Sequence, residues 1–496
     1  MTRVHQITRR QALKITAGAV GAGLPLVHVQ TAGAAGKLTM GIWDHWVPAA
    51  NPVLKGLIDD WAAKNKVDVT IDFIASTGNK IVLTQAAEAQ ARSGHDVLAF
   101  DQWNAHQHAS KLTPVNDVME PLIKQYGPVS KAVEYLGTSE GKWFAVPVMW
   151  GSAPLPPCAR ISLIKNITGE DVTEWYPAKD VKTKGAAEWT YDKQLAMAEQ
   201  CHKAGHVFAL GCGPNSTDAN QTWGATFGAF GAHLVDAKGN ITVDSDPVRE
   251  ALDYVKRFVP FLPPNSISYD DASNNKAFIS GSAALIWNPP SAWAVAKRDA
   301  PAIAADTWHF PTPRGKAGRL VPHRPYFWGI WQWSQNKPAA KDLLTFLSQR
   351  DIVTKLSVPA AGYDIPPFLS MADLPVWAEM EPPKGTIYNY PLRPHHDAEY
   401  YIVGSSAPPD VGVQIWTQSM IPGMVARMVT GQTAKQVIDW AKGELEGIRR
   451  YAVGAQDAGQ RECQIKVGLE VLAVGLPTYG AGTDALAACR WRREDA

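Results

Sequence analysis

A chain of 496 residues exceeds the roughly 250–300 at which single hydrophobic cores stop growing, so more than one domain is expected. The 48 Lys+Arg and 47 Asp+Glu leave a net charge of +1. That balance excludes the basic footprint of a nucleic-acid binder and offers no polybasic tract to a membrane surface.

The first segment, "MTRVHQITRRQALK", is charged and carries adjacent Arg9 and Arg10. A mild apolar run follows from Ile15 to about Val29, then Ala32-Gly33-Ala34 supplies small residues for a cut site. This is the layout of a secretory signal over residues 1–34, cleaved near Ala35. The run is shorter than the ~20 apolar residues that span a bilayer. "TRRQALK" resembles the twin-arginine export signal, with Ala12 where a bulky apolar residue is usual. The competing reading is an ordinary secretory signal with paired arginines.

"KLTMGIW" (Lys37–Trp43) reads as the first strand. "NPVLKGLIDDWAAKN" spaces Val53, Leu54, Leu57, Ile58 and Trp61 as one helical face. "VDVTIDFI" alternates as a strand, "KIVLTQAAEAQARSG" reads as a helix stopping at Gly94, and "HDVLAF" as another strand. Strands alternating with helices predict a parallel sheet in an α/β lobe, with ligands beyond the carboxyl ends of its strands. Those ends are "WDHW" (Trp43–Trp46) and "FDQW" (Phe100–Trp103), both aromatic and acidic.

After "GKWFAVPVMWGSAPL" come three expected helices, "TYDKQLAMAEQCHKAG", "NQTWGATFGAFGAHLVD" and "DPVREALDYVKRFV". "NNKAFISGSAALIWNPP" passes from helix to strand through Gly281. In "RPYFWGIWQW", alternation sets Tyr326, Trp328 and Ile330 on one face and Phe327, Trp331 and Trp333 on the other. "PAAKDLLTFLSQRDIVTKL" reads as one helix.

Four stretches, in order, resemble the extracellular solute-binding proteins of ATP-driven uptake systems, in the carbohydrate-binding family that includes maltose-binding protein. They are "GKWFAVPV" (Gly141–Val148), "NKAFISGSAALIWN" (Asn275–Asn288), "WQWSQNKPAAKDLLTFLS" (Trp331–Ser348) and "MIPGMVARMVTGQTAKQVIDWAKGELEGI" (Met420–Ile448). The resemblance implies an α/β, two-lobed periplasmic-binding-protein fold of type II, with three interdomain crossings. These fall near Val146–Trp150, His309–Pro313 and Ala360–Pro366. The implied N-terminal lobe is 36–147 plus 312–362, and the C-terminal lobe 148–311 plus 363–450. The ligand would lie between lobes that close about a hinge. Residues 451–496 have no counterpart in the resemblance. They read as an appended segment or a frame artefact, and a chain ending at Arg450 is expected to fold and bind.

The resemblance also implies a periplasmic, soluble, monomeric component of an ABC importer. Its partners would be a small-molecule ligand and the transmembrane permease subunits, with no nucleic acid, no cofactor and no metal. A carbohydrate or polyol is the expected ligand. Pyranoses present apolar C–H faces to aromatic rings and hydroxyls to Asp, Asn, His and backbone groups. Candidate ligand contacts at the strand ends are Trp43, Asp44 and His45, then Asp101 and Trp103. Trp150, Trp223, Trp287 with Asn288, Trp328, Tyr363 and Trp416 fall where the resemblance places ligand-facing residues. Structural roles compete at several of these: a capped turn for Asp44 and a helix N-cap for Asp101. Trp61 and Trp440 sit at core spacing, and Trp331 and Trp333 read as structural.

Other signals are bland. His106 and His108 stand two apart, a poor helical chelate. His395–Asp397 reads as a solvated loop, and Glu399–Tyr401 has no further ligands of a ferric-ion site. Cys201 and Cys212 are close enough in sequence to close a short loop, one possible pairing among five cysteines. Hydrolase, phosphate-loop and zinc-protease motifs are missing. A periplasmic cofactor enzyme and a binding module for a membrane sensor stay as alternatives.

Overall fold

The computed structural model describes residues 36–75, 79–176, 182–214, 216–376 and 397–450. The expected export signal, residues 451–496, His395 and His396 lie outside them.

The first sheet grows as the sequence anticipates. Strand β1 (Lys37–Trp43) leads into helix α1 (Ala50–Asn65), β2 (Asp68–Ile74), α2 (Lys80–Ala91), β3 (Val97–Asp101) and the short helix α3 (Trp103–Gln107). β1 pairs in parallel with both β2 and β3. Its central place explains its near-continuous apolar run, whereas β2, at the sheet edge, alternates. Helix α1 buries Leu54, Ile58 and Trp61, the face its spacing specifies, and ends at Lys66 in the left-handed region.

The second sheet comes from the middle of the chain. Strand β4 (Val146–Pro154) is followed by β5 (Pro157–Arg160), helix α4 (Tyr191–Lys203), β6 (Val207–Phe208), α5 (Thr217–Ala229) and α6 (Asp246–Phe258). Then come β7 (Ala283–Trp287), α7 (Ser291–Asp299) and β8 (Thr307–His309). The order β8-β5-β7-β6 makes a four-stranded sheet. The chain then returns through β9 (Leu320–Ile330), α8 (Lys337–Leu347), α9 (Arg350–Ser357), β10 (Glu399–Tyr401), α10 (Pro409–Thr417) and α11 (Met420–Val429). A further helix covers residues 434–450.

Two α/β lobes result, joined by long strands. β9 inserts antiparallel between β3 and β4, and its start pairs with β10. β4 stays in the first sheet as far as Pro154, and three residues later, at Pro157, β5 belongs to the second. The chain comes back between β8 and β9. Beside β4, the Ile365 N–H donates to the Ser152 carbonyl (2.8 Å), so a third segment runs along the same junction.

One expectation fails locally. Residues 338–356 form two helices, not one, because Gln349 is extended (ψ 142°). At 3.6 residues per turn, a straight helix would set Leu343, Leu344 and Leu347 roughly opposite Ile352, Val353 and Leu356. The break lets both apolar sets turn inward, and all six are buried. Tyr126 fixes it, its hydroxyl donating to Gln349 Oε1 (2.7 Å).

Candidate functional site

The carboxyl ends of β1 and β3 and the crossing strands converge on one aromatic and acidic cluster. Trp43, at the end of β1, is fully buried, with ring centroids 4.9 Å from His45, 5.5 Å from Tyr326 and 6.0 Å from Tyr363. Trp150 stands edge-on to His45 at 4.7 Å, and its indole N–H donates to the Trp43 carbonyl (2.8 Å). His45 Nε2 lies 3.1 Å from Asp364 Oδ2, both side chains buried. The other Asp364 oxygen accepts from the Gly151 N–H (2.9 Å).

The acidic half adjoins this cluster through Arg324. Its guanidinium lies 5.4 Å from the Tyr326 ring and donates to Asp101 Oδ2 (3.2 Å) and the Tyr326 hydroxyl (3.2 Å). Asp218, in the first turn of α5, is 3.9 Å from Arg324 Nη1. Asp271 accepts from Ser216 Oγ (2.6 Å) and from the Asp218 N–H (3.1 Å). Burial lifts the Asp101 carboxyl to about 6 against the pull of Arg324. Burial, reinforced by Asp271, pushes Asp218 well above the usual carboxylate range.

Asp101 also faces a cleft of about 170 Å³. Asn79, Val82, Asp101 and Asn104 wall it from one side. Pro214, Ser216, Thr217, Asn220, Trp416, Thr417 and Ser419 wall it from the other. Two acceptors at this cleft, Asp101 Oδ1 and Asn220 Oδ1, are buried and have no partner among the described residues. The Asn220 amide N–H donates instead to the Trp416 carbonyl (2.9 Å), which fixes both side chains. Such orphaned acceptors are costly to bury and call for a partner.

The family model for bacterial extracellular solute-binding proteins matches residues 56–383. The chain belongs to that family. This solute-binding protein also superposes on solved structures. Maltose-bound MalE3 of T. maritima gives a TM-score of 0.67 at 19% identity, covering 83% of this chain and 99% of that one. A sugar transporter from Arthrobacter chlorophenolicus with bound laminaribiose gives 0.65 at 18%, covering 83% and 99%. An ABC transporter solute-binding protein from Thermotoga lettingae bound with alpha-D-tagatose gives 0.64 at 16%, covering 84% and 100%. At these identities the likeness is one of fold. No curated protein matches the chain at a significant level.

Within the solute-binding protein, the sequence candidates separate. Trp43, His45, Trp150 and Tyr363 come together in the aromatic cluster, and Asp101 and Trp416 line the cleft. Asp44 is exposed, and its carboxylate accepts from Asn51 (2.6 Å) at the start of α1. Trp103 donates to the Val403 carbonyl (2.7 Å). Trp223 donates to the Gly211 carbonyl (2.7 Å) and packs on Phe258. Trp328 is buried within the first sheet, opposite Ala99 and Val146. Asn288 donates to Ser291 Oγ (2.9 Å) where α7 begins, and the Trp287 carbonyl accepts from Asn274 (3.2 Å). The indole N–H groups of Trp43, Trp287 and Trp328 are buried without a partner among the described residues.

Sequence reasoning missed Asn220, Asp218, Asp271, Tyr326 and Asp364. Asp364 alone carried a local signal, following Tyr363 at an expected crossing. The others sit in helix-start or strand contexts that ordinary polar residues also occupy. Away from the cleft, His106 packs on Trp103 and Phe144, and His108 on Phe100 and Trp331. Burial lowers His108 to about 4. Among the described residues no group of three His, Cys, Asp or Glu could hold a metal ion, and no helix is long and apolar enough to cross a membrane. Cys158, Cys201 and Cys212 are free and buried, and burial lifts Cys201 to about 11 and Cys212 to about 12.

Proposed function

We propose that the protein is the periplasmic substrate-binding component of an ABC importer. It captures a small carbohydrate or polyol between its lobes and delivers it to a membrane permease. The protein acts as a monomer, and no bond is made or broken. The proposed lobes are 36–147 plus 312–362 and 148–311 plus 363–450, with β4 and β9 crossing the junction. The observation that carries the reading is the cleft wall. One aromatic face, Trp416, stands among Asn79, Asp101, Asn104, Ser216, Thr217 and Asn220. Apolar C–H faces and hydroxyls need that mixture of partners. The bound solutes of the maltose, laminaribiose and tagatose structures support the same class.

Of the twelve residues proposed from the sequence, Asp101 and Trp416 are the proposed direct contacts, joined by Asn220. Trp43, His45, Trp150 and Tyr363 form the floor behind them. The test is a melting screen of the exported protein against sugars, polyols, amino acids, polyamines and organic acids. A true solute at a hundredfold excess over its Kd stabilises by about 2.7 kcal/mol, which raises the melting temperature measurably. A sugar or polyol is the expected hit. A dicarboxylate or linear polyamine as the only hit defeats the carbohydrate reading.

A further inference from the structure

Three carboxylates gather near one guanidinium behind the cleft, and one of them, Asp101, lines it. Asp101 and Asp218 both lie within 3.9 Å of Arg324, and Asp271 is tied to Asp218 through its backbone N–H. Among the described residues Arg324 is the only cation in ion-pair reach of Asp101 and Asp218. Its donors are engaged with Asp101 and the Tyr326 hydroxyl. The balance at full ionisation is therefore anionic. An independent observation points the same way: Asn220, 3% exposed, lines the same cleft, and its buried Oδ1 has no partner among the described residues. Asp101, 6% exposed, lines it too, and its Oδ1 is a second acceptor unpartnered among the described residues. What the cleft presents is acceptors backed by carboxyl groups that outnumber the one guanidinium. A hydroxyl brings one donor, whereas an ammonium brings three and a positive charge.

We infer that the solute carries a primary amino group, so that the cleft takes an amino-substituted carbohydrate or polyol whose ammonium lies against Asp101 and Asn220. This rests on the carbohydrate reading above and narrows it. The neutral remainder of the solute lies along Trp416 and the hydroxyl-bearing wall of Ser216, Thr217 and Thr417.

The experiment is calorimetric titration of the full exported chain with matched pairs: D-glucose and D-glucosamine, D-galactose and D-galactosamine, an inositol and its inosamine. At pH 7.5 the amine of at least one pair binds about tenfold or more tighter than its neutral partner. That preference shrinks at pH 5, where Asp101, lifted to about 6, takes up a proton. The groups facing Asp101 and Asp218 are Arg324 and Tyr326 from β9, Tyr363, and Asp271. Asp218→Asn, behind the cleft wall, erases the preference while the neutral partner still binds; Asp101→Asn, at a direct contact, weakens both members of each pair and also erases the preference, so two variants guard against one that fails to fold. Equal or tighter binding of the neutral members overturns the inference and leaves the carbohydrate reading standing. A preference untouched by both Asn variants overturns it too. Binding of linear polyamines alone, or of no member of any pair, overturns both.

Discussion

Gly151 shows how a single residue holds the aromatic floor together. Its φ is +87°, and a Cβ there would stand 2.9 Å from the Tyr326 ring and 3.1 Å from Trp43. Gly151→Ala therefore adds backbone strain of about 1–2 kcal/mol to overpacking of about 1–3 kcal/mol. Chemical denaturation of the variant should show a loss of that combined size. Asp364 is the matching polar anchor, accepting from Gly151 N–H and facing His45. Asp364→Ala strands buried partners and should cost about 3–5 kcal/mol. Asp364→Asn, which still accepts from Gly151, should lose less in the same measurement. The tryptophans divide by what their indole N–H groups do. Trp103, Trp150 and Trp223 donate to backbone carbonyls and so lock the frame.

At the scale of elements, a buried histidine joins helix α2 to the first sheet. His95 Nδ1 lies 2.5 Å from Glu88 Oε1, and Nε2 lies 2.9 Å from Asp72 Oδ2. The Trp331 indole donates to the other Glu88 oxygen (2.9 Å), so β9 joins the same knot. Burial by itself lowers His95, but hydrogen bonds and charge from Glu88, then Asp72, outweigh it and hold the pKa above the ordinary 6.5. A raised folded pKa means the stabilisation is complete below about 6.5 and is lost as pH rises through the higher folded value. Melting curves from pH 6 to pH 9 should show the wild-type falling more steeply than His95→Gln. Parallel curves would show that this ion pair does not set the pH response. Trp331, on which Trp333 stacks at 4.5 Å, thus serves the frame.

At the scale of the whole molecule, Arg324 couples the lobes. It stands on a strand of the first sheet, pairs with Asp101 at the end of β3, and reaches Asp218 at the start of α5. Removing it leaves buried carboxylates without a counter-charge. Arg324→Met should destabilise by about 3–5 kcal/mol at pH 7.5. The deficit should be smaller at pH 5, because Asp101, already at about 6 beside Arg324, is then largely protonated. Equal deficits at the two pH values, by chemical denaturation, would contradict that electrostatic account.

The sequence by itself determined the alternation of strands and helices in the first lobe, and the family. Each of these rests on periodicity and motif order along a contiguous stretch, as in "KLTMGIW" and "VDVTIDFI". It also marked Trp43, His45, Asp101 and Tyr363, because strand ends and crossings are local signals. Only the tertiary structure decided which polar groups meet. Asp101, Asp218, Asp271 and Arg324 come from four separate elements, and no spacing links positions 101 and 324. Nor could spacing separate Trp416, at the cleft, from Trp223, whose indole is spent on Gly211. Both are buried aromatics on helices, and burial is the property that hydrophobic patterning reports. Whether a buried ring faces its own core or the opposite lobe depends on how the two sheets are docked, and that is set by long-range packing.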